Sequence, residues 1–104
     1  MGNKTKMLFT TFSKKNDALK FGEKLIKLKL ASCVQLIPEI TSIYNWNGKV
    51  NKNEEFLVLI KYNQSRESIL LNFLEDNHPY EIPEVAVTDF IIKSKKYKRW
   101  FFEK

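Results

Sequence analysis

The chain has 104 residues, with 43% hydrophobic and 13% aromatic content, which suits one domain spanning 1–104 and excludes both two independent cores and a disordered segment. Eighteen Lys and Arg against twelve Asp and Glu give a net charge of +6, which favours solubility and attracts anions without specifying nucleic acid. The single cysteine, Cys33, excludes an internal disulfide and fits a reducing, cytoplasmic compartment.

No apolar run reaches the roughly 18 residues of a membrane span. Residues 1–6 lack an apolar signal region and read as a disordered leader. From Met7 to Phe12 the pattern is that of a short strand. Ser13 then offers an N-cap, with Asp17 in the first helical turn. A helix is expected from Lys14 to about Lys29. Ala18, Phe21, Gly22 and Leu25 share its apolar face, which Leu19, Ile26 and Leu28 widen. Gly22 inside that arc implies close approach to a sheet, offsetting a propensity cost of about 1 kcal/mol.

Ala31 to Ile37 is the next strand, and Pro38 interrupts its pairing. The strand resumes with Ile40, Ser42, Tyr44 and Trp46 on one side and Thr41, Ile43 and Asn45 on the other. Asn47-Gly48 is a strong hairpin signal, because both residues tolerate positive φ. The return strand ends in Phe56 to Tyr62. Ser65 is expected to cap a second helix to Asn77, burying Leu70, Phe73 and Leu74. His78-Pro79 ends it. Glu84 to Ile92 is the last strand. The tail from Ser94 to Lys104 reads as a short amphipathic helix with Tyr97, Trp100 and Phe101 on one side.

This order predicts an α+β fold: a ferredoxin-like βαββαβ sandwich with an extended β-hairpin and a short C-terminal helix. Both crossover helices fall on one face of the sheet. The strand at 56–62 is nevertheless apolar on both sides, with Phe56, Val58 and Ile60 against Leu57 and Leu59. A second dry face without a helix to cover it implies another subunit.

Several motifs resemble the CutA family of divalent-cation tolerance proteins. They are Ala31-Ser32-Cys33-Val34, the run Thr41-Ser42-Ile43-Tyr44-Asn45-Trp46-Asn47-Gly48, Glu55 through Lys61, and His78-Pro79-Tyr80-Glu81-Ile82-Pro83-Glu84. Tyr97 and Trp100 resemble the family's terminal aromatic pair. The resemblance implies a homotrimer with interlocked hairpins and a link to divalent metals, copper especially. It implies no settled reaction. The sequence departs from the family at Phe12, Gln35 and the run Lys93-Ser94-Lys95-Lys96. A copper site attributed to some members has a cysteine and two consecutive histidines, where this chain has Phe9, Asn77 and His78.

His78 is therefore the one imidazole available to Cu(II) or another divalent cation, held weakly, with Glu84 the preferred second ligand and Glu81 behind it. The bland alternative is a helix-ending ring bonded to backbone. Cys33 is expected as a buried, inert thiol in an apolar strand. Neither a Ser-His-Asp nor a Cys-His arrangement is legible, so no catalytic residues are assigned and the chain is not expected to be an enzyme.

By the resemblance, Tyr44, Trp46, Lys61, Tyr80, Glu84 and Trp100 line a cleft between subunits, with interface packing as the alternative. Fold analogy adds a regulatory trimer that binds a small anion there. Lys93, Lys95, Lys96, Lys98 and Arg99 raise a nucleic-acid module as a third class. The strand at 56–62 is aliphatic where stacking rings would be needed, which counts against it. The expected partner is the chain itself, with no membrane and an unknown small-molecule ligand.

Overall fold

The computed structural model describes residues 4–103. In chain order the elements are β1 (Thr5–Phe12), α1 (Lys15–Lys27), β2 (Cys33–Trp46), β3 (Lys49–Asn63), a 3-10 turn (Gln64–Arg66), α2 (Glu67–Asn77), β4 (Ala86–Phe90) and α3 (Lys95–Phe102). The strands form one antiparallel sheet in the order β2-β3-β1-β4. This is the expected ferredoxin-like arrangement, because each crossover helix returns the chain to a strand parallel to the one it left.

The alternation of side chains along each strand places the core. Leu8 and Phe12 of β1 and Val58, Ile60 and Tyr62 of β3 point to the face that α1 and α2 cover. Ala18, Phe21 and Leu25 of α1 meet them, as do Leu70 and Leu74 of α2. Gly22 lies in that contact, and a Cβ there would stand 3.0 Å from Val34 Cγ1. Close helix–sheet approach is therefore the reason for glycine at this position.

Local details differ from the sequence expectation. β1 opens at Thr5, so the last two residues of the expected leader enter the sheet, and Lys6 pairs with Asp89 at 2.6 Å. Residues 1–3 lie outside the described residues. Lys14 rather than Ser13 precedes α1, with no side-chain cap bond. Just past the end of α1, Lys29 takes φ 59°, with Leu30 N–H donating to Leu25 O and Lys29 N–H to Ile26 O. That wrap satisfies carbonyls the last turn would leave open. Leu19, Ile26 and Leu28 are exposed, so the buried stripe of α1 is narrower than expected. Ahead of α2 it is Asn63, not Ser65, that supplies the capping oxygen, accepting from Ser65 N–H. Phe73 is half-buried. β4 is shorter than the span 84–92.

The face away from α1 and α2 is partly covered by α3. Ser94 Oγ caps that helix by accepting from Tyr97 N–H, and Phe101 is buried with its ring edge-on to Phe90. Ser32 Oγ donates to Phe101 O at 2.7 Å, tying α3 to the start of β2. Phe9, Leu57 and Leu59 remain half-buried on the uncovered part of this face.

β1 stops pairing at Phe12 opposite Phe56, yet β2 and β3 continue together for the length of a long hairpin. The molecule is correspondingly elongated, 46 × 25 × 23 Å. A bulge between Ile37 and Ile40, with Glu39 at φ 54°, adds one residue to β2. Beyond it the even-numbered residues of β2 share the face of Glu55 and Leu57. Asn47 and Gly48, at φ 54° and 75°, make the two-residue turn.

Candidate functional site

A wide cleft lies between one face of the hairpin and the segment 78–84 that follows α2. Its volume is about 740 Å³, and its walls include Tyr44, Trp46, Glu55, Tyr80, Glu81 and Glu84. Register explains the hairpin wall. Ser42 pairs with Asn53 and Tyr44 with Asn51, so these four side chains share one face with Trp46 and Glu55. Asn53 Nδ2 donates to the Tyr44 hydroxyl and fixes that ring. Ile43 and Val50 stand on the reverse face of the hairpin strands, 64% and 72% exposed.

His78 positions the opposite wall from behind. Pro79 stops α2, and the His78 ring folds back to stack on Phe12 with centroids 4.3 Å apart. Its Nδ1 accepts the Tyr80 backbone N–H at 3.1 Å. That fixes the tautomer, so Nε2 carries the hydrogen and donates to Thr11 O at 2.9 Å. Burial pushes the His78 pKa below its ordinary value, outweighing the opposing pull of Thr11 O and Glu55. The ring is thus a neutral strut between the end of β1 and the loop. Both nitrogens are occupied, and a metal ion would have to displace one of these bonds.

Tyr80, held by that strut, donates its hydroxyl to Glu55 Oε2 at 2.5 Å. Glu55 is 92% buried, being 8% exposed. Burial alone would raise its pKa. The Ser42, Tyr80 and Thr11 hydroxyls outweigh that and hold the carboxyl below the usual range. For Tyr80 the shift is upward, from burial first and then from the Glu55 carboxylate. The floor of the cleft is therefore a fixed negative charge.

Of the residues expected around the cleft, Tyr44, Trp46, Tyr80 and Glu84 come together within one chain, joined by Glu81. Lys61 and Trp100 do not line it. Lys61 Nζ sits 5.9 Å from the centre of the Phe90 ring, and Trp100 stacks on Tyr97. Cys33 is half-buried rather than in the core. It lies beside Tyr97, whose pKa is raised by burial and then by the thiol. His78 and Glu84 share the segment 78–84, but only Glu84 lines the cleft. Among the described residues, no three His, Cys, Asp or Glu side chains converge as a metal shell. Glu55 was missed as a site residue. The signal was an acid in β3 in phase with Leu57 and Leu59 on an otherwise apolar face.

Residues 6–104 match the family described as CutA1 divalent ion tolerance protein. The chain belongs to this family. It is 34% identical over 94 residues to the chloroplastic CutA of Arabidopsis thaliana, covering 90% of this chain and 52% of that one. With the divalent-cation tolerance protein CutA of Yersinia pestis it shares 39% over 72 residues, 69% of this chain and 60% of that one. The chain spans half to three-fifths of the length of these CutA relatives. Among solved structures, CutA1 from Oryza sativa superposes with a TM-score of 0.91 at 31% identity, covering 96% of this chain and 92% of that one. CutA from Synechococcus elongatus gives 0.92 at 29%, covering 96% and 88%. Among the described residues, no helix of this CutA1-type fold is long and apolar enough to cross a membrane.

Proposed function

We propose that the chain acts as a homotrimer in divalent-cation tolerance, with the hairpin and the uncovered sheet face as its assembly surfaces. The observation that carries this reading is the hairpin beyond the Phe12–Phe56 pair, which exposes Ile43 and Val50 with no second layer against them. Phe9, Leu57 and Leu59 add a half-buried apolar area on the sheet. A domain of this size gains most by burying such surface against copies of itself. Light scattering coupled to size exclusion should return three subunits at micromolar concentration. A monomer there overturns the proposal.

Copper enters through His78 and Glu84 in this reading, and weakly. Binding at His78 costs one of the two hydrogen bonds that position the ring, and the neighbouring donors are carboxylates, which select poorly for copper. Calorimetry with Cu(II) on wild type and His78→Ala tests it. A weaker isotherm for the variant supports a role for the imidazole, and equal isotherms assign the copper to surface carboxylates.

A further inference from the structure

The layer formed by α1 and α2 is not fully closed. The sequence pattern groups Phe73 with Leu70 and Leu74, yet those two leucines are buried while Phe73 stays half-buried. Its ring borders a cavity of about 300 Å³ between the first half of α1 and the end of α2. Phe12, Phe21 and Pro79 complete the apolar wall. The Phe21 ring centre lies 5.7 Å from that of Phe73 and 5.3 Å from that of Phe12, so the three rings form one aromatic surface.

Lys20 and Lys24 border the same cavity from α1, both exposed and one helical turn apart. Like charges at this spacing repel, and a bound anion would relieve that repulsion. Asp17 is the one acid lining the cavity among the described residues, so the rim keeps a net positive charge. None of the described lining residues belongs to the hairpin or to the apolar patch of Phe9, Leu57 and Leu59. The helices cover the opposite side of the sheet from that patch.

Rings and charge together discriminate between ligand classes. An inorganic anion would use the lysines and leave the rings without a role. A neutral arene would do the reverse, and an aromatic ammonium ion would be repelled from the rim. An aromatic ring carrying a carboxylate uses both, because each lysine delivers a point charge on a long flexible stem. The volume stands at the lower end of the usual range of roughly 300–1,000 Å³, which suits one ring with a short acidic arm rather than a nucleotide.

We infer that this cavity binds a small aromatic carboxylate, with its ring against Phe73 and its carboxylate at the Lys20 and Lys24 ammonium groups. The site uses none of the surfaces proposed for assembly, so its failure and the failure of the trimer are separate results.

Saturation-transfer NMR on the full chain at pH 7 tests it with phenylacetate, using benzyl alcohol as the neutral probe and benzylammonium as the cation of similar shape. Phenylacetate should receive the most magnetisation and benzylammonium the least. Lys20→Gln with Lys24→Gln changes only exposed side chains and should weaken phenylacetate about fivefold through lost charge attraction. Phe73→Leu should weaken it about threefold through the lost ring contact. Mass and far-UV circular dichroism are recorded on the same samples, so that weaker binding with both retained is read as a site effect. Should Phe73→Leu fail to fold, the lysine variant decides alone. Absent transfer to phenylacetate, equal transfer to benzylammonium, or unchanged affinity in the lysine variant overturns the inference. So does full displacement of phenylacetate by equimolar acetate, which reduces the site to a diffuse basic surface.

Discussion

The Tyr80 hydroxyl meets the Glu55 carboxylate at 2.5 Å, linking a loop after α2 to a strand distant in sequence. This bond joins the two walls of the cleft and keeps a buried acid ionised. Tyr80→Phe removes it while preserving the ring. Loss of a hydrogen bond to a charged group costs about 1.5–3 kcal/mol, and the lower end applies because Tyr80 is half-buried. The Glu55 carboxyl should also titrate higher in the variant. Urea midpoints and carbon-13 detected titration of Glu55 check both; an unchanged titration curve would show that the other hydroxyls suffice.

Acid should loosen the His78 strut. Its folded pKa lies below the ordinary 6.5, so the unfolded chain takes up a proton first as pH falls. Stability is therefore constant above about pH 7. It declines once pH drops below 6.5, until the folded ring itself protonates. Glu55 acts in the same direction at lower pH, losing its contribution below the ordinary 4.5 toward its depressed folded value. Denaturation midpoints from pH 8 to 5 should fall for wild type and stay flatter for His78→Phe. Parallel curves would place the titrating group elsewhere.

Gly22→Ala sets two effects against each other. Alanine gains about 1 kcal/mol of helix propensity. Its Cβ would meet Val34 Cγ1 at 3.0 Å, and overpacking typically costs about 1–3 kcal/mol. Val34 is β-branched and has little rotamer freedom to move aside. The variant should be less stable by about 1 kcal/mol, read from the urea midpoint. The double variant Gly22→Ala with Val34→Ala should recover the propensity gain at this contact.

Val50→Glu places a charge on the reverse face of the hairpin, where the side chain is 72% exposed in the single chain. Substitution at so open a position should change the fold by less than about 0.5 kcal/mol. If that face is an assembly surface, a buried unpaired carboxylate there should dissociate the oligomer. Reduced mass with unchanged circular dichroism is the expected result, and an intact oligomer would move the interface elsewhere.

Strand and helix order was legible because periodicity carries it. Alternation in Phe56 to Tyr62 and the 3.6-residue spacing of Ala18, Phe21 and Leu25 reflect burial that the structure repeats. Pro38 correctly marked the change of phase in β2, and Asn47-Gly48 marked the turn. Helix starts were less legible. Ser13 and Ser65 have capping chemistry, but the capping bonds depend on backbone direction that a local pattern does not contain. Four residues of the cleft were legible. Tyr44, Trp46, Tyr80 and Glu84 lie in recognisable segments, whereas Glu55 acquires its role only from Tyr80, a residue 25 positions away. Lys61 and Trp100 were grouped with them by the resemblance, in a cleft between subunits, and within one chain Lys61 lies toward the α3 end of β3, away from this cleft.

The bulge at Pro38-Glu39 sets an angle. Beyond it, residues 40–46 form an arm of roughly 23 Å at the usual rise per residue. A change of about 10° at its base would move the Asn47-Gly48 tip by about 4 Å over that length. Deleting Glu39 would let Pro38 and Ile40 fall into regular register opposite Phe56 and Glu55, keeping every cleft side chain on its present face. Such a deletion would alter aim without altering composition. One residue at the base of the arm, next to the Ile40–Glu55 pair, would thus set both the width of the cleft and the direction of the exposed hairpin surface.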